Sequence, residues 1–466
     1  MGRDCEQRAA ILQFYNSTIP QFHSSTIINF SILRTKLTNC KQLYFPTKSP
    51  YLIRLLPFYK NYSNSLMTYL AFVRKERRLL SFAVSFTFFS SFGQTFLLSL
   101  FVPYFLITFE LSNASFGTLY SLATMTGAVA LPWLGQWIDR IPLRQYSIYV
   151  AVGLLFASVL MAVSWHISVL FLSLIMLRLS GQGLSSHTAQ TTMARQYDGE
   201  RGKALSISAL GFPIGEALLP SLIAMMLVYM HWQTTWALIA AVIAFVFIPV
   251  LWFLVRNEKQ VVNDSKSDDA PSASDNYKTI FRDYRTAYII PAILMPPFWV
   301  TGLFLYQVSA AGDLGWTATL IASAFIAFAA ARVVSGLISG PLIDRFSAQA
   351  LFPFLLVPMT AGFLFAIFFN GAFSAFIYMA LVGITLGLSG TLKSALWAEL
   401  YGTDMIGTVQ SLFASIMVLS TALSPFIVGW MLDNAFNLNS VLMLAVVSSV
   451  LAGLVSIRIF PAFQRS

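Results

Sequence analysis

The chain has 466 residues, 57% hydrophobic and 10% charged, which excludes an ordinary soluble domain, since about a quarter of such a domain's residues are charged. The formal net charge of +10 is local: residues 1–78 hold 12 Lys/Arg against Asp4, Glu6 and Glu76, and the other 388 hold 17 basic and 16 acidic groups. The charge therefore belongs to a leader and a membrane face, and gives no reason to expect a nucleic-acid partner.

Residues 1–78 read as a basic N-terminal extension. Cys5 and Cys40 both lie there, so the rest of the chain has no disulfide framework and no thiolate metal site. No apolar stretch of the right shape follows Met1, so a clean secretory signal is not expected, and Asp4 and Glu6 count against a transit peptide. A start of translation at Met67 is the simpler reading, because MTYLAFVRKERRLLSF is an ordinary basic lead into an apolar run.

Beyond it, apolar runs long enough to cross the bilayer as helices follow in series. Twelve spans are predicted near 80–106, 115–134, 146–165, 167–190, 204–229, 232–254, 287–311, 317–339, 350–370, 373–396, 406–431 and 438–459. The expected fold is all-α and integral to the membrane. A six-span unit over 79–256 and another over 286–466 flank a cytoplasmic linker at 257–285, whose stretch DSKSDDAPSASDN reads as disordered. Alternate loops carry Arg140 and Arg144, then Arg195, Arg201 and Lys203, then six basic residues from Arg256 to Arg285, then Arg345. The opposite loops carry Glu110, His166, His231, Asp313 and Asp433 and no Lys or Arg. By the positive-inside rule the basic loops and both termini are cytoplasmic.

One charged hairpin occurs twice. GQWIDRIPLR at 135–144 and GPLIDRFSAQ at 340–349 are offset by 205 residues, as are Gly202 and Gly407, Ala217 and Ala422, and Pro220 and Pro425. Six spans return the chain to its starting side, so the two copies are parallel repeats about an axis along the membrane normal. In the hairpins, Gly135 and Gly340 allow close helix approach. Asp139 and Asp344 can accept from backbone N–H groups at a helix N-terminus. Arg140, Arg144 and Arg345 can pair across the seam between the copies and hold that side shut. The alternative is a solvated turn whose arginines only set topology.

Twelve spans, a 6+6 repeat and G-x-x-x-D-R after spans two and eight resemble the major facilitator superfamily, over roughly residues 80–460. GQWIDRIPLR is similar to that family's loop motif, with Trp137, Pro142 and Leu143 departing from it. RLSGQG at 178–183 resembles its span-four motif, and GFPIGEALLP at 211–220 its span-five antiporter motif. The resemblance implies a transporter that moves a small solute by alternating access, with a site between two rocking halves.

Ionisable residues inside spans are costly, and each is a functional candidate. Arg178 lies near the midplane of span four, and the resemblance implies a coupling or cavity role; bonding to carbonyls is the structural alternative. Arg332 stands about 12 Å above the basic end of span eight. Its R-x-x-x-G-L is similar to the span-eight arginine of the family's carboxylate transporters, which implies anion binding. Glu216 lies deep in span five. It is a candidate partner for Arg332 or proton carrier, with a fixed pair to Arg178 as the alternative. Gln94 and Gln307, in spans one and seven, are polar candidates for the cavity or for interhelical bonding. Lys393 is expected to snorkel to the headgroups, and His187 carries no assigned role.

No Walker A motif, metal constellation or nucleophile is present in the pattern, so neither a pump, an enzyme nor a cofactor protein is expected. The expected function is a secondary active transporter of the inner or plasma membrane, monomeric and proton-coupled, for a small organic anion. A drug or metabolite efflux antiporter and a non-transporting nutrient sensor are the rival readings.

Overall fold

The computed structural model describes residues 71–197, 200–256, 280, 282–369, 371–402, 406–434 and 436–459. The alternative start at Met67, the leader before it and the DSKSDDAPSASDN linker lie outside these residues.

The described chain is a helical bundle. It begins with α1 (Arg77–Phe89), which is followed by short helical pieces at Thr95–Leu98 and Val102–Thr108. Next come α2 (Asn113–Gly135), α3 (Leu143–Ala162), α4 (Ile167–Gln196), α5 (Arg201–Tyr229) and α6 (Trp232–Leu254). The second half holds α7 (Tyr284–Tyr306), α8 (Ala318–Phe346), α9 (Ala348–Phe368), α10 (Ala372–Tyr401), α11 (Ile406–Asp433) and α12 (Leu438–Ser456). Eleven helices among the described residues are long and apolar enough to cross a membrane. In hydrocarbon a helix satisfies its own backbone, which is why the apolar runs fold this way. Starts are set by side-chain caps: Ser112, Thr317 and Asn437 accept from the N–H groups of Ser115, Leu320 and Ser440. Large apolar side chains on the rim, such as Phe245 at 81% exposure and Leu337 at 75%, would be untenable in water and face lipid.

The repeat is visible in helix starts. α2 and α8, α3 and α9, α4 and α10, and α5 and α11 each begin 205 residues apart. The two hairpins still fold differently. α2 ends at Gly135 and a 3-10 turn takes Gln136–Asp139. α8 instead runs through Pro341 to Phe346 and ends at Ser347, whose φ of 70° is left-handed. The predicted end of span eight at 339 is therefore too early. Arg332 lies fourteen residues from either end of α8, roughly 21 Å, and not about 12 Å from the basic end.

Span one departs further from its uninterrupted prediction. After α1 comes a 3-10 turn at Ser90–Gly93, and Gln94 is extended with φ −85° and ψ 149°. The break faces a π-helical stretch of α4, Leu177–Ser185. A Cβ on Gly93 would strike the Leu177 carbonyl and lie 2.6 Å from the Gln182 nitrogen, and one on Gly181 would lie 2.8 Å from the Gly93 Cα. The two irregular segments thus cross backbone to backbone, and only glycine fits at the crossing. Such segments are tolerated in a membrane only where protein or a cavity covers them.

Candidate substrate and coupling site

Two seams join the halves. At the first, α2 meets α11. A Cβ on Gly117 would overlap the Pro425 carbonyl, and one on Gly429 would lie 2.5 Å from the Asn113 carbonyl. The Tyr306 hydroxyl, from α7, donates toward the carbonyls of Asn113 at 2.7 Å and Pro425 at 3.1 Å. Asp433, at the end of α11, caps the start of α2 from the other half. It accepts from the backbone N–H groups of Asn113 at 3.1 Å and Ala114 at 2.7 Å, and from Asn113 Nδ2 at 2.9 Å. With Ser112 capping Ser115, the orphan donors at this helix start find partners.

At the second seam α5 meets α8. Glu216 and Arg332 form an ion pair through Oε1 and Nη1. Glu216 lies fifteen residues into α5 and Arg332 fourteen into α8, so the pair is near mid-span. The Glu216 side chain is 8% exposed and that of Arg332 33%. Glu216 Oε2 is buried with no hydrogen-bond partner. Toward the acidic end, Ser221 donates to the Ala322 carbonyl at 3.3 Å and Phe96 packs on Phe325 at 5.6 Å.

Arg178 takes a different place from its candidate partner. It is 5% exposed, donates from Nε to Thr124 at 3.1 Å and from Nη1 to the Gly93 carbonyl at 3.0 Å, and lies over the Tyr120 ring. The carbonyl it takes is the one at the break in span one. The alternative pairing of Glu216 with Arg178 is not formed; the structural reading of Arg178, bonding to carbonyls, is.

Gln94 sits at that break, half-buried, beside Thr95, whose hydroxyl bonds Tyr120 at 2.8 Å. Gln307 is 2% exposed with neither amide atom partnered. It lines a cavity of about 10 Å³ with Trp316, Tyr378 and Leu438. Those residues all belong to the second half, so Gln307 faces away from the seams.

At the basic end each half is closed on itself. Asp139 pairs with Arg195 of α4. In the second half the corresponding contact is made by Glu399 of α10, which accepts from the backbone N–H groups of Ala348 at 2.7 Å and Gln349 at 2.9 Å. Among the described residues, Arg140, Arg144 and Arg345 make no ion pair across the seam. Arg140 is exposed, Arg144 lies 3.3 Å over the Trp252 ring, and Arg345 lies over Phe346. Asp344 is exposed and, among the described residues, caps no helix; that task falls to Glu399. A Cβ on Gly135 would lie 3.4 Å from the His187 ring, whereas one on Gly340 would meet open space. Lys393 does not snorkel: its Nζ lies 3.3 Å from Sδ of Met417 on α11.

Toward this end the positions open to the surface include polar or small ones: Gln190, with half-buried Gln182 and Ser186, on α4, and Gly390, Thr391 and Ser394 on α10. Lipid-facing surface elsewhere is Phe, Leu and Val. A polar stripe inside an apolar span faces water or a cavity. The seam contacts named above lie at mid-span or toward the acidic end.

The family model described as Major Facilitator Superfamily matches residues 84–311 and 289–463. The chain belongs to the Major Facilitator Superfamily. Three solved structures of transporters share its fold. The D-xylose-proton symporter aligns with a TM-score of 0.64 at 14% identity over 84% of this chain and 99% of its own. A bacterial homologue of the human lysosomal transporter Spinster, inward-facing and occupied, aligns at 0.63 and 14% over 85% and 98%. The nucleoside transporter NupG aligns at 0.61 and 13% over 84% and 98%. In a comparison with curated proteins by sequence, none matches. The superfamily fold makes this chain a multi-pass membrane protein with the architecture of a transporter, not of an enzyme.

Tyr120, Thr124, Tyr306, Asn113 and Glu399 escape a reading of the sequence. For Glu399 a signal existed: it stands one residue short of the 205 offset from Arg195. Tyr306 and Asn113 carry none, because their roles depend on which helix ends meet.

Proposed function

We propose that the chain is a monomeric secondary active transporter of an inner or plasma membrane, carrying a small organic anion in proton-coupled fashion by alternating access. The observation that carries the reading is the Glu216–Arg332 pair, which links the halves at mid-span. A guanidinium is a planar fork suited to a carboxylate. Glu216 leaves one oxygen unsatisfied, so a proton on that carboxyl removes the attraction at small cost in hydrogen bonds. Proton and solute then exchange roles: the proton takes Glu216 and the solute carboxylate takes Arg332. The ion pair that tied α5 to α8 is replaced by a loaded site, and the halves are released to rock. With the basic loops in the cytoplasm, the state described is closed outside and open inside. In the alternate state Asp139, Arg140, Arg144, Asp344 and Arg345 would meet across the seam.

The test uses proteoliposomes and labelled lactate, pyruvate, succinate and benzoate. Wild type is expected to exchange at least one of them and to accumulate it under a proton gradient. Glu216→Gln is expected to keep exchange and lose gradient-driven accumulation, because a neutral carboxamide cannot give up a proton. Binding without exchange makes the chain a sensor. Exchange of lipophilic cations alone makes it an efflux antiporter and removes the anion reading.

A further inference from the structure

The described part of the membrane core contains three deep cations, Arg178, Arg332 and Lys393, against one deep acid, Glu216. Arg332 uses that acid. Arg178 is committed to the Gly93 carbonyl and Thr124 and is sealed at 5% exposure. Lys393 alone is neither paired with an acid nor sealed. Its Nζ meets only the thioether of Met417, a weak acceptor. An ammonium carries three donors, so its hydrogen-bonding capacity is largely unused.

Its position is the second observation. Lys393 lies eight residues from the end of α10, roughly 12 Å in from the basic side. It is half-buried beside the stripe of Gly390, Thr391 and Ser394, and Ser394 reaches Gln410 of α11 at 3.4 Å. Arg332 is deeper: its carbonyl packs at Gly387, six residues up the same helix, roughly 9 Å away along the axis. The two cations stand at successive depths of the second half. A lysine kept for topology would lie at the rim with its amine in water; this one is turned inward.

We infer that Lys393 is an anion-docking residue of the vestibule, binding the carboxylate or phosphate group of the solute between the basic side and Arg332. The inference rests on the anion reading above and assigns it a specificity-determining residue. The ammonium donates charge-assisted hydrogen bonds to the oxyanion, and the solute supplies the negative charge that the core lacks. Ser394, the next residue of α10, offers a hydroxyl on the adjoining face.

The experiment measures ligand-induced thermal stabilisation of the detergent-purified full chain with succinate, lactate, benzoate and inorganic phosphate, with xylose as the uncharged control. Wild type, Lys393→Met and Lys393→Arg are compared. The expected result is that an oxyanion stabilises wild type. Its Kd is then about ten- to a hundredfold weaker in Lys393→Met, the loss of a hydrogen bond to a charged group, and within about threefold in Lys393→Arg. The carboxylates against phosphate show which oxyanion the site takes. Unchanged affinity in Lys393→Met overturns the inference and leaves the anion reading standing. Stabilisation by xylose alone, or by nothing in the panel, overturns both. If Lys393→Met yields no folded protein, the wild type decides. Acetylation of Lys393 by a water-soluble amine reagent, followed by mass spectrometry, is expected to be slowed by the stabilising anion; equal modification with and without it overturns the inference.

Discussion

The two seams between the halves are built from different physics. The α2–α11 seam is a backbone contact: glycines at 117 and 429, carbonyls of Asn113 and Pro425, one tyrosine hydroxyl and a carboxylate capping a helix start. The α5–α8 seam is centred on an ion pair. The first depends on shape and is broken by volume. The second depends on charge and is broken by a proton or by a competing ion. In the proposed cycle the α5–α8 seam is the contact that ligands address, and the α2–α11 seam follows.

The strongest way to break the comparison is volume at the shape-based seam. Gly117→Leu has no room against Pro425, and overpacking of this kind is expected to cost about 3 kcal/mol, read as a lowered thermal midpoint in detergent. A midpoint equal to wild type would show that the seam is loose in solution. At the charged seam, Glu216→Ala strands a guanidinium. The expected cost is about 2 kcal/mol, below that of a fully buried pair because Arg332 is a third exposed. Adding Arg332→Ala should recover most of it; a double-mutant cycle showing simple additivity would mean the pair is not coupled. The smallest effect is expected from Tyr306→Phe, about 1 kcal/mol for the lost hydroxyl. It should loosen the acidic end without unfolding the chain. A cysteine placed at Ser112, with Cys5 and Cys40 replaced, should react about fivefold faster with an impermeant maleimide. An unchanged rate would remove Tyr306 from the closure.

The repeat was legible because a six-span unit keeps its helix starts in register: the 205 offset read from the hairpins is the offset of four helix pairs. The hairpins themselves were not. Two nearly identical hexapeptides part company because their neighbours differ. Arg195 offers Asp139 a partner in one half; in the other Glu399 caps α9, and α8 runs on past its Pro341. Span one reads as unbroken because SSFGQ is short and lies between two long apolar runs. Its break is imposed by the Gly93–Gly181 crossing and held by Arg178, neither of which is local in sequence.

The sequence alone determined that this chain crosses the membrane many times, that it is a duplicated unit of helices, and which residues carry charge into the core. Those properties follow from hydropathy, spacing and composition, which are local or periodic. Only the tertiary structure decided which charges meet. Glu216 could have paired with either arginine, and the fold gave it Arg332 because α5 faces α8 while the break in span one claimed Arg178. Lys393 likewise reads as a rim lysine from its depth, and becomes an inward cation because Met417 of α11, and not the bilayer surface, lies opposite it.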